Sequence, residues 1–579
     1  VTSPRALAHS VALLLLAACA ATPPATTPAP APPAPAPASA PASATPPSST
    51  FTPDEQRASS LITAASISAP IRYLADDLLE GRAPASRGDA LAMKYVAAEF
   101  ESFGLEPGAT GDGPASYFQK VPLVELVAKM PSHVQATTPR GPLSFAVPED
   151  LVVAPGAQEP KVALAPTDVV FVGYGIVAPE YQWDDYKDVD VRGKIVVVMN
   201  NDPEDDPQLF AGKTRLWYGR WDYKYLQAAQ KGAAGAVIIH TTHSAGYPWQ
   251  VVTSSFGHTS FELPADPNER RLLAKMWIAE PAAKKLAAAA GEDLDALRKS
   301  AESRDFRPRA LGGVKMGLSL TVDLRRTETD NVLGLLRGAD PAKAGEVVVF
   351  SAHHDHLGIR TPVKGDAIYN GAQDNASGVA ALVSIARAFA SSPRPRRSIL
   401  FAAVAAEEQG LLGSEWYCRH PTFPVDKIAA DLNMDSLNVH GRTNDVGFPG
   451  LGKSSLDDVV AEVARAQGRT LHGDAFPDRG SYYRSDQFSF AKVGVPGVYV
   501  RGGPSYVGKP ASYGVEVVEA YERTHYHQPS DELDPSWDLS GAVEDAQLLF
   551  VTGERVANSD ALPAWKPGDE FAKRRAAKP

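Results

Sequence analysis

Gly345-Glu-Val-Val-Val-Phe-Ser-Ala-His-His-Asp355 begins as a continuous apolar run and stops on two imidazoles and a carboxylate. An apolar stretch without polar alternation suits a strand covered on both faces. Ser398–Ala405, Ile428–Asn433 and Gly497–Val500 have the same character, and Gly378–Ala390 is apolar on most sides of a helical wheel. Strands and helices alternating in this way predict an α/β class, with helices on both faces of a central sheet. His353, Glu407, Glu408 and Asp435 then fall just past the C-terminal ends of three strands, where ligands bind in open α/β sheets.

Working outward, five potential metal ligands sit in short phrases along the chain. They are His353 in Ser-Ala-His-His-Asp, Asp374 in Gln-Asp-Asn-Ala-Ser-Gly, Glu408 in Ala-Glu-Glu-Gln-Gly, Asp435 in Asn-Met-Asp-Ser and His527 in Tyr-His-Gln-Pro-Ser-Asp. Two imidazoles and three carboxylates suit a pair of zinc-like ions that share one carboxylate; manganese and cobalt tolerate the same donors. Glu407 sits beside a ligand with no obvious partner, and the set points to hydrolytic chemistry. His354, His356 and His525 alternate with these positions and are expected to point elsewhere. Cys418 stands alone in a helical stretch and is expected to be buried and inert. No Gly-x-Ser-x-Gly elbow and no Gly-rich phosphate loop is present, which counts against serine-hydrolase and nucleotide-dependent chemistry.

The chain has 579 residues, 44% of them hydrophobic, which is enough for two or three domains. A net charge of −11 without a long basic run argues against nucleic acid as a partner. Two cysteines exclude a disulfide framework. Arg5 followed by the apolar run Val11–Ala18 reads as an export signal, too short to span a bilayer. Leu16-Ala-Ala-Cys19 resembles the lipobox of bacterial lipoproteins. That resemblance implies lipidation at Cys19 and a location in the bacterial envelope, at the outer membrane or in the periplasm, or else secretion. Residues 20–50 contain only Ala, Pro, Thr and Ser and read as a semi-extended tether. From Thr52 to about Leu126 the pattern is helical, with Ile71, Leu74, Leu78 and Leu79 on one apolar face and Met93, Val96, Ala97 and Phe100 on another. Between about Arg140 and Gly313, Gly-bounded apolar runs predict strands, among them Gly193–Met199 and Gly235–His240.

Phrase by phrase, the five motifs resemble the di-zinc aminopeptidase and glutamate carboxypeptidase family, metallopeptidase family 28. The resemblance implies a zinc-exopeptidase-like mixed central sheet flanked by helices. The strand-rich segment resembles a β-rich protease-associated insert. The implied organisation is a signal at 1–19, a linker at 20–50, a peptidase domain at 51–139 and 314–560, an insert at 140–313 and a tail at 561–579. One metal would be held by His353, Asp374 and Asp435, the other by Asp374, Glu408 and His527, with a water between them. Asp355 would orient the His353 imidazole, and the Asp374–Asn375 peptide would be cis. Glu407 would act as general base, and Tyr526 would steady the oxyanion. The loop bearing Arg484, Ser485 and Asp486 would border the substrate pocket. The implied activity is removal of N-terminal residues from peptides. Carboxypeptidase or dipeptidase action on acidic residues is the alternative, and a non-catalytic binding role on the same fold is a third. The implied partner is a peptide, with membrane contact only through the lipid at Cys19; neither oligomeric state nor preferred side chain follows from the motifs.

Overall fold

The computed structural model describes residues 50–110, 114–255 and 259–574. The signal, Cys19 and most of the linker lie outside these residues. Helix α1 (Pro53–Ser59) is opened by a reciprocal Thr52–Glu55 capping box, α2 (Ala64–Leu74) by Thr63 and Ser66, and α3 (Arg87–Ser102) by Ser86. Ile71, Leu74 and Leu79 are buried, as are Met93, Val96, Ala97 and Phe100. Leu78, expected on the same face, is instead 70% exposed, because α2 ends at Leu74 and the chain turns through Asp77–Arg82. The helical pattern also ends earlier than expected. Residues Phe118–Lys129 form strand β1, which buries Val121 and Leu123 on one side and Val124 and Leu126 on the other. Ladder pairing with residues Thr321–Val332 makes this segment a strand despite the helical spacing further upstream.

Next come β2 (Lys161–Phe171), β3 (Ile195–Met199), helix α4 (Trp221–Gln230), β4 (Gly235–His240), β5 (Ala274–Ala279) and the 28-residue β6 (Arg309–Leu336). The last third carries β7 (Val347–His353), α5 (Ser377–Ala390), β8 (Ser398–Val404), β9 (Ile428–Asn433), β10 (Gly497–Tyr499), α6 (Tyr513–Thr524) and α7 (Ser540–Asn558). Strands β2 to β10 join one mixed sheet in the order β10-β9-β7-β8-β6-β2-β3-β4-β5. Strand β6 makes the sheet continuous. It pairs antiparallel with β8 over Val332–Leu336, with β1 over Thr321–Val332, and with β2 nearer its start. Val332 and Leu336 therefore belong to the core under the helices, whereas Leu320 and Val322 belong to the core of the strand-rich region.

Strands β8, β7, β9 and β10 are mutually parallel, so their C-terminal ends open on one edge. Every residue of β7, β8 and β9 is buried, as an apolar run without alternation requires. Helix α5 is buried at all but two of its positions, and Phe389 packs against Phe550 of α7 with ring centroids 4.6 Å apart. Among the described residues no helix is long and apolar enough to cross a membrane.

Candidate metal centre

Each proposed ligand sits at or just past the end of a parallel strand or beside the end of a helix. His353 is the last residue of β7, Asp435 lies two residues past β9, and Glu407 and Glu408 form a short 3-10 turn after β8. Asp374 lies in the irregular turn leading into α5, and the Asp374–Asn375 peptide is cis. Gly378 lets this turn approach β9: a Cβ there would lie 2.2 Å from Asn375 Oδ1 and 2.4 Å from the Met434 carbonyl oxygen. His527 follows α6 in left-handed backbone (φ 57).

The side chains converge. His353 Nε2 is 3.3 Å from Asp374 Oδ1 and 3.5 Å from Asp435 Oδ1. His527 Nε2 is 3.4 Å from Asp374 Oδ2 and 3.1 Å from Glu408 Oε2. Asp374 thus turns one oxygen to each imidazole, the geometry of a shared carboxylate. Buried His353 Nε2 has no hydrogen-bond partner among the described residues. Orphaned buried polar atoms are costly, and this donor set is the one that accepts zinc. The residues therefore fit a pair of divalent ions.

Charge coupling follows from the packing. Burial works against His353 ionisation, yet Glu407, Asp374 and Asp435 carry its pKa well above the usual imidazole range. Asp374 is buried too, but His353 and His527 hold it well below the usual carboxylate range. Glu407 goes the other way: burial, with Glu408, Asp435 and Asp486 alongside, lifts it well above that range. Its Oε2 lies 4.0 Å from His353 Nε2.

Asp355 works differently from the sequence expectation. Its carboxylate accepts the main-chain N–H of Glu407 at 3.0 Å and of Glu408 at 3.4 Å. His353 Nδ1 is 3.2 Å from the Asp355 main-chain carbonyl oxygen, against 3.7 Å from its carboxylate. Asp355 therefore orients the imidazole chiefly through its backbone, while its carboxylate secures the Glu407–Glu408 turn.

His356 is not a bystander. Its Nδ1 lies 2.7 Å from Glu408 Oε1, and its ring is buried. Strand β7 stops at His353, so strand alternation no longer governs where His356 points. His354 does turn away, toward Asp89 at 3.2 Å and the Asp330 carbonyl at 3.1 Å, and His525 is exposed. Cys418 is a buried free thiol.

A cleft of roughly 990 Å³, counting its open mouth, lies over the centre and includes Asp374, Glu407, Asp435, Tyr526, Arg484 and Arg501 in its lining. Arg484 Nη2 donates to the Tyr526 hydroxyl at 3.1 Å. Ser485 and Asp486, expected beside it in the wall, are buried beneath the loop instead. Ser485 accepts from Asn433 Nδ2 at 2.7 Å, since the loop must cover the polar end of β9. Tyr483 donates to Glu570 at 2.6 Å, tying this loop to the C-terminal segment.

Sequence reasoning missed Arg501, which follows β10 and donates to the Tyr499 hydroxyl at 2.6 Å. It also missed the role of Asp531, which accepts the main-chain N–H groups of Gln373 and Asp374 at 2.9 and 3.0 Å. Asp531 stands four residues after His527, a proximity that was visible but carried no geometry.

Fold and site together define a candidate metal centre at the C-terminal ends of the parallel strands of a mixed sheet. Residues 331–551 match the model of Peptidase family M28. A probable zinc metalloprotease of Pyricularia oryzae is 36% identical over 328 residues, covering 52% of this chain and 59% of that protein. A probable lipoprotein aminopeptidase of Mycobacterium tuberculosis is 31% identical over 256 residues, covering 41% of this chain and 47% of its own length. The chain thus spans about half to three fifths of these relatives. An aminopeptidase from Aneurinibacillus sp. strain AM-1 has a similar fold: TM-score 0.50 at 17% identity, over 89% of this chain and 98% of that one.

Proposed function

We propose that this protein is a di-zinc exopeptidase that hydrolyses the N-terminal peptide bond of peptides. The observation that carries the proposal is Asp374, which offers one oxygen to His353 and the other to His527 within reach of Glu407. His353, Asp374 and Asp435 would hold one ion, and Asp374, Glu408 and His527 the other. Zinc is favoured, with manganese or cobalt as substitutes. When bound, such ions supply Lewis acidity, which makes water more acidic and polarises a carbonyl. Glu407, raised by burial and by its acidic neighbours, takes a proton from the attacking water and passes it to the departing amine. Tyr526 faces the cleft and is suited to donate to the developing oxyanion. The strand-rich region would serve as a protease-associated insert. The lipobox-like phrase supports export and a lipid anchor at Cys19.

One observation favours a second reading, in which the cleft takes a substrate carboxylate as a carboxypeptidase or dipeptidase would. Arg484 and Arg501 both line the cleft, and each donates to a tyrosine hydroxyl, which leaves guanidinium donors for an anion. A non-catalytic binding role would make the complete ligand set superfluous.

The deciding experiment is digestion of free and end-blocked peptides by the zinc-loaded protein, followed by mass spectrometry. Shortening from the N-terminus, abolished by N-acetylation, is expected. Shortening from the C-terminus favours the second reading, and no cleavage with two ions bound refutes both.

A further inference from the structure

Arg82 comes 271 residues before His353 and belongs to none of the metal motifs. The turn Glu80-Gly81-Arg82 runs through left-handed backbone at all three residues (φ 52, 68 and 51). Gly81 is required there, because a Cβ would lie 2.4 Å from the Tyr369 carbonyl oxygen. This turn drives the Arg82 side chain inward, leaving it 1% exposed. Its Nε donates to the His354 carbonyl at 2.9 Å, its Nη1 to the Leu74 carbonyl and to the Asn370 carbonyl at 2.6 Å, and its Nη2 to the Gly371 carbonyl at 3.0 Å. The Arg82 carbonyl in turn accepts the main-chain N–H of His356 at 3.2 Å.

These acceptors are not scattered. His354 lies between His353 and Asp355, while Asn370 and Gly371 lead into Asp374. One planar guanidinium therefore ties together the two segments that present the first ligand and the shared ligand, and fastens both to the end of α2. All four acceptors are neutral carbonyls. A buried charge needs compensation, and here it comes from Asp355, Asp531, Asp374 and Glu408 at longer range. Burial draws the guanidinium down only to about 10, so it stays charged at neutral pH.

We propose, on the footing of the metal centre described above, that Arg82 is a positioning residue for that centre. It holds the His353–Asp355 and Asn370–Asp374 segments in a ligand-ready arrangement and supplies a standing positive charge within an acidic cluster. Lysine keeps the charge but not the planar fork, so the two contributions separate.

The test uses the full chain as wild type, Arg82→Met, Arg82→Lys and the control Arg397→Met. Arg397 is also fully buried and donates to main-chain carbonyls, at Val556 (2.8 Å) and Ser559 (2.7 Å), but it precedes β8, at the end away from the ligands. Zinc affinity is read by competition with a chromophoric chelator, and folding by circular dichroism and the melting temperature of the metal-free protein. Arg82→Met is expected to bind zinc about 10–100-fold more weakly, the range for residues that orient metal ligands. Arg82→Lys should lose affinity to a lesser degree. Arg397→Met should melt earlier yet bind zinc like the wild type, and a merely structural role for Arg82 would give Arg82→Met that same pattern. Native zinc affinity in folded Arg82→Met overturns the proposal. Should that variant not fold, native affinity in Arg82→Lys overturns the positioning role by itself. A wild-type chain without zinc affinity would overturn the centre and this role together, whereas a zinc-binding but inactive wild type removes only the peptidase reading.

Discussion

Replacing Glu407 with glutamine changes one proton acceptor and almost no shape. The turn that carries it is held by other groups, since the Asp355 carboxylate accepts its main-chain N–H at 3.0 Å whatever its side chain is. Neither ligand group built around Asp374 includes Glu407, whose Oε2 stands 4.0 Å from His353 Nε2. Metal binding should therefore survive the change. Glu407 lines the cleft beside the proposed ligands, and an amide there cannot accept the proton that a carboxylate accepts. General base catalysis contributes about 10²–10⁴-fold, or roughly 2.7–5.5 kcal/mol of barrier. The assay is kcat and KM on a fluorogenic N-terminal amide, with zinc content measured on the same preparation. A fall of that size in kcat at full zinc occupancy is expected. Turnover near the wild-type value with full zinc would refute Glu407 as the base, and loss of zinc would make it a ligand.

Chelation should abolish activity and added zinc should restore it; activity that persists in chelated protein excludes the metal mechanism. Asp531→Ala leaves the buried N–H groups of Gln373 and Asp374 unpaired, so zinc affinity should drop about 10–100-fold and stability by about 1–3 kcal/mol; isothermal calorimetry and denaturant melts check both. Gly378→Ala places a Cβ against Asn375 and the Met434 carbonyl and should destabilise by about 1–3 kcal/mol, read as a lower denaturation midpoint. Burial, and then repulsion from Glu55 and Asp54, raise Glu554 to about 7 against the pull of Arg555. The folded state therefore holds this proton above the unfolded carboxyl's pKa of ~4.5, so stability falls as pH rises from there to 7. Glu554→Gln should raise stability by about 1 kcal/mol at pH 8, after solvent screening, and leave it unchanged at pH 4. An equal effect at both pH values would refute that origin.

The strands carrying His353, Glu407, Glu408 and Asp435 were legible because burial on both faces leaves an apolar run, and ligands must follow where it stops. Helix α5 and the motif around Asp374 were legible for similar local reasons. Where the pattern was mixed, it misled: Phe118–Lys129 reads as part of a helical region, but its pairing with β6 makes it a strand. His356 reads as alternating away from the site, yet the strand ends three residues earlier. Periodicity and ligand chemistry live within a few residues of chain, so the sequence by itself determined the α/β class, the buried parallel strands and which residues to consider as ligands. Arg82, Arg501, Asp531 and the burial of Ser485 depend on segments brought together across tens or hundreds of residues. Only the tertiary structure decided what these residues touch, because a hydrogen bond or a shared charge between distant residues leaves no period in the chain, and even Asp531, inside a motif, shows no partner there.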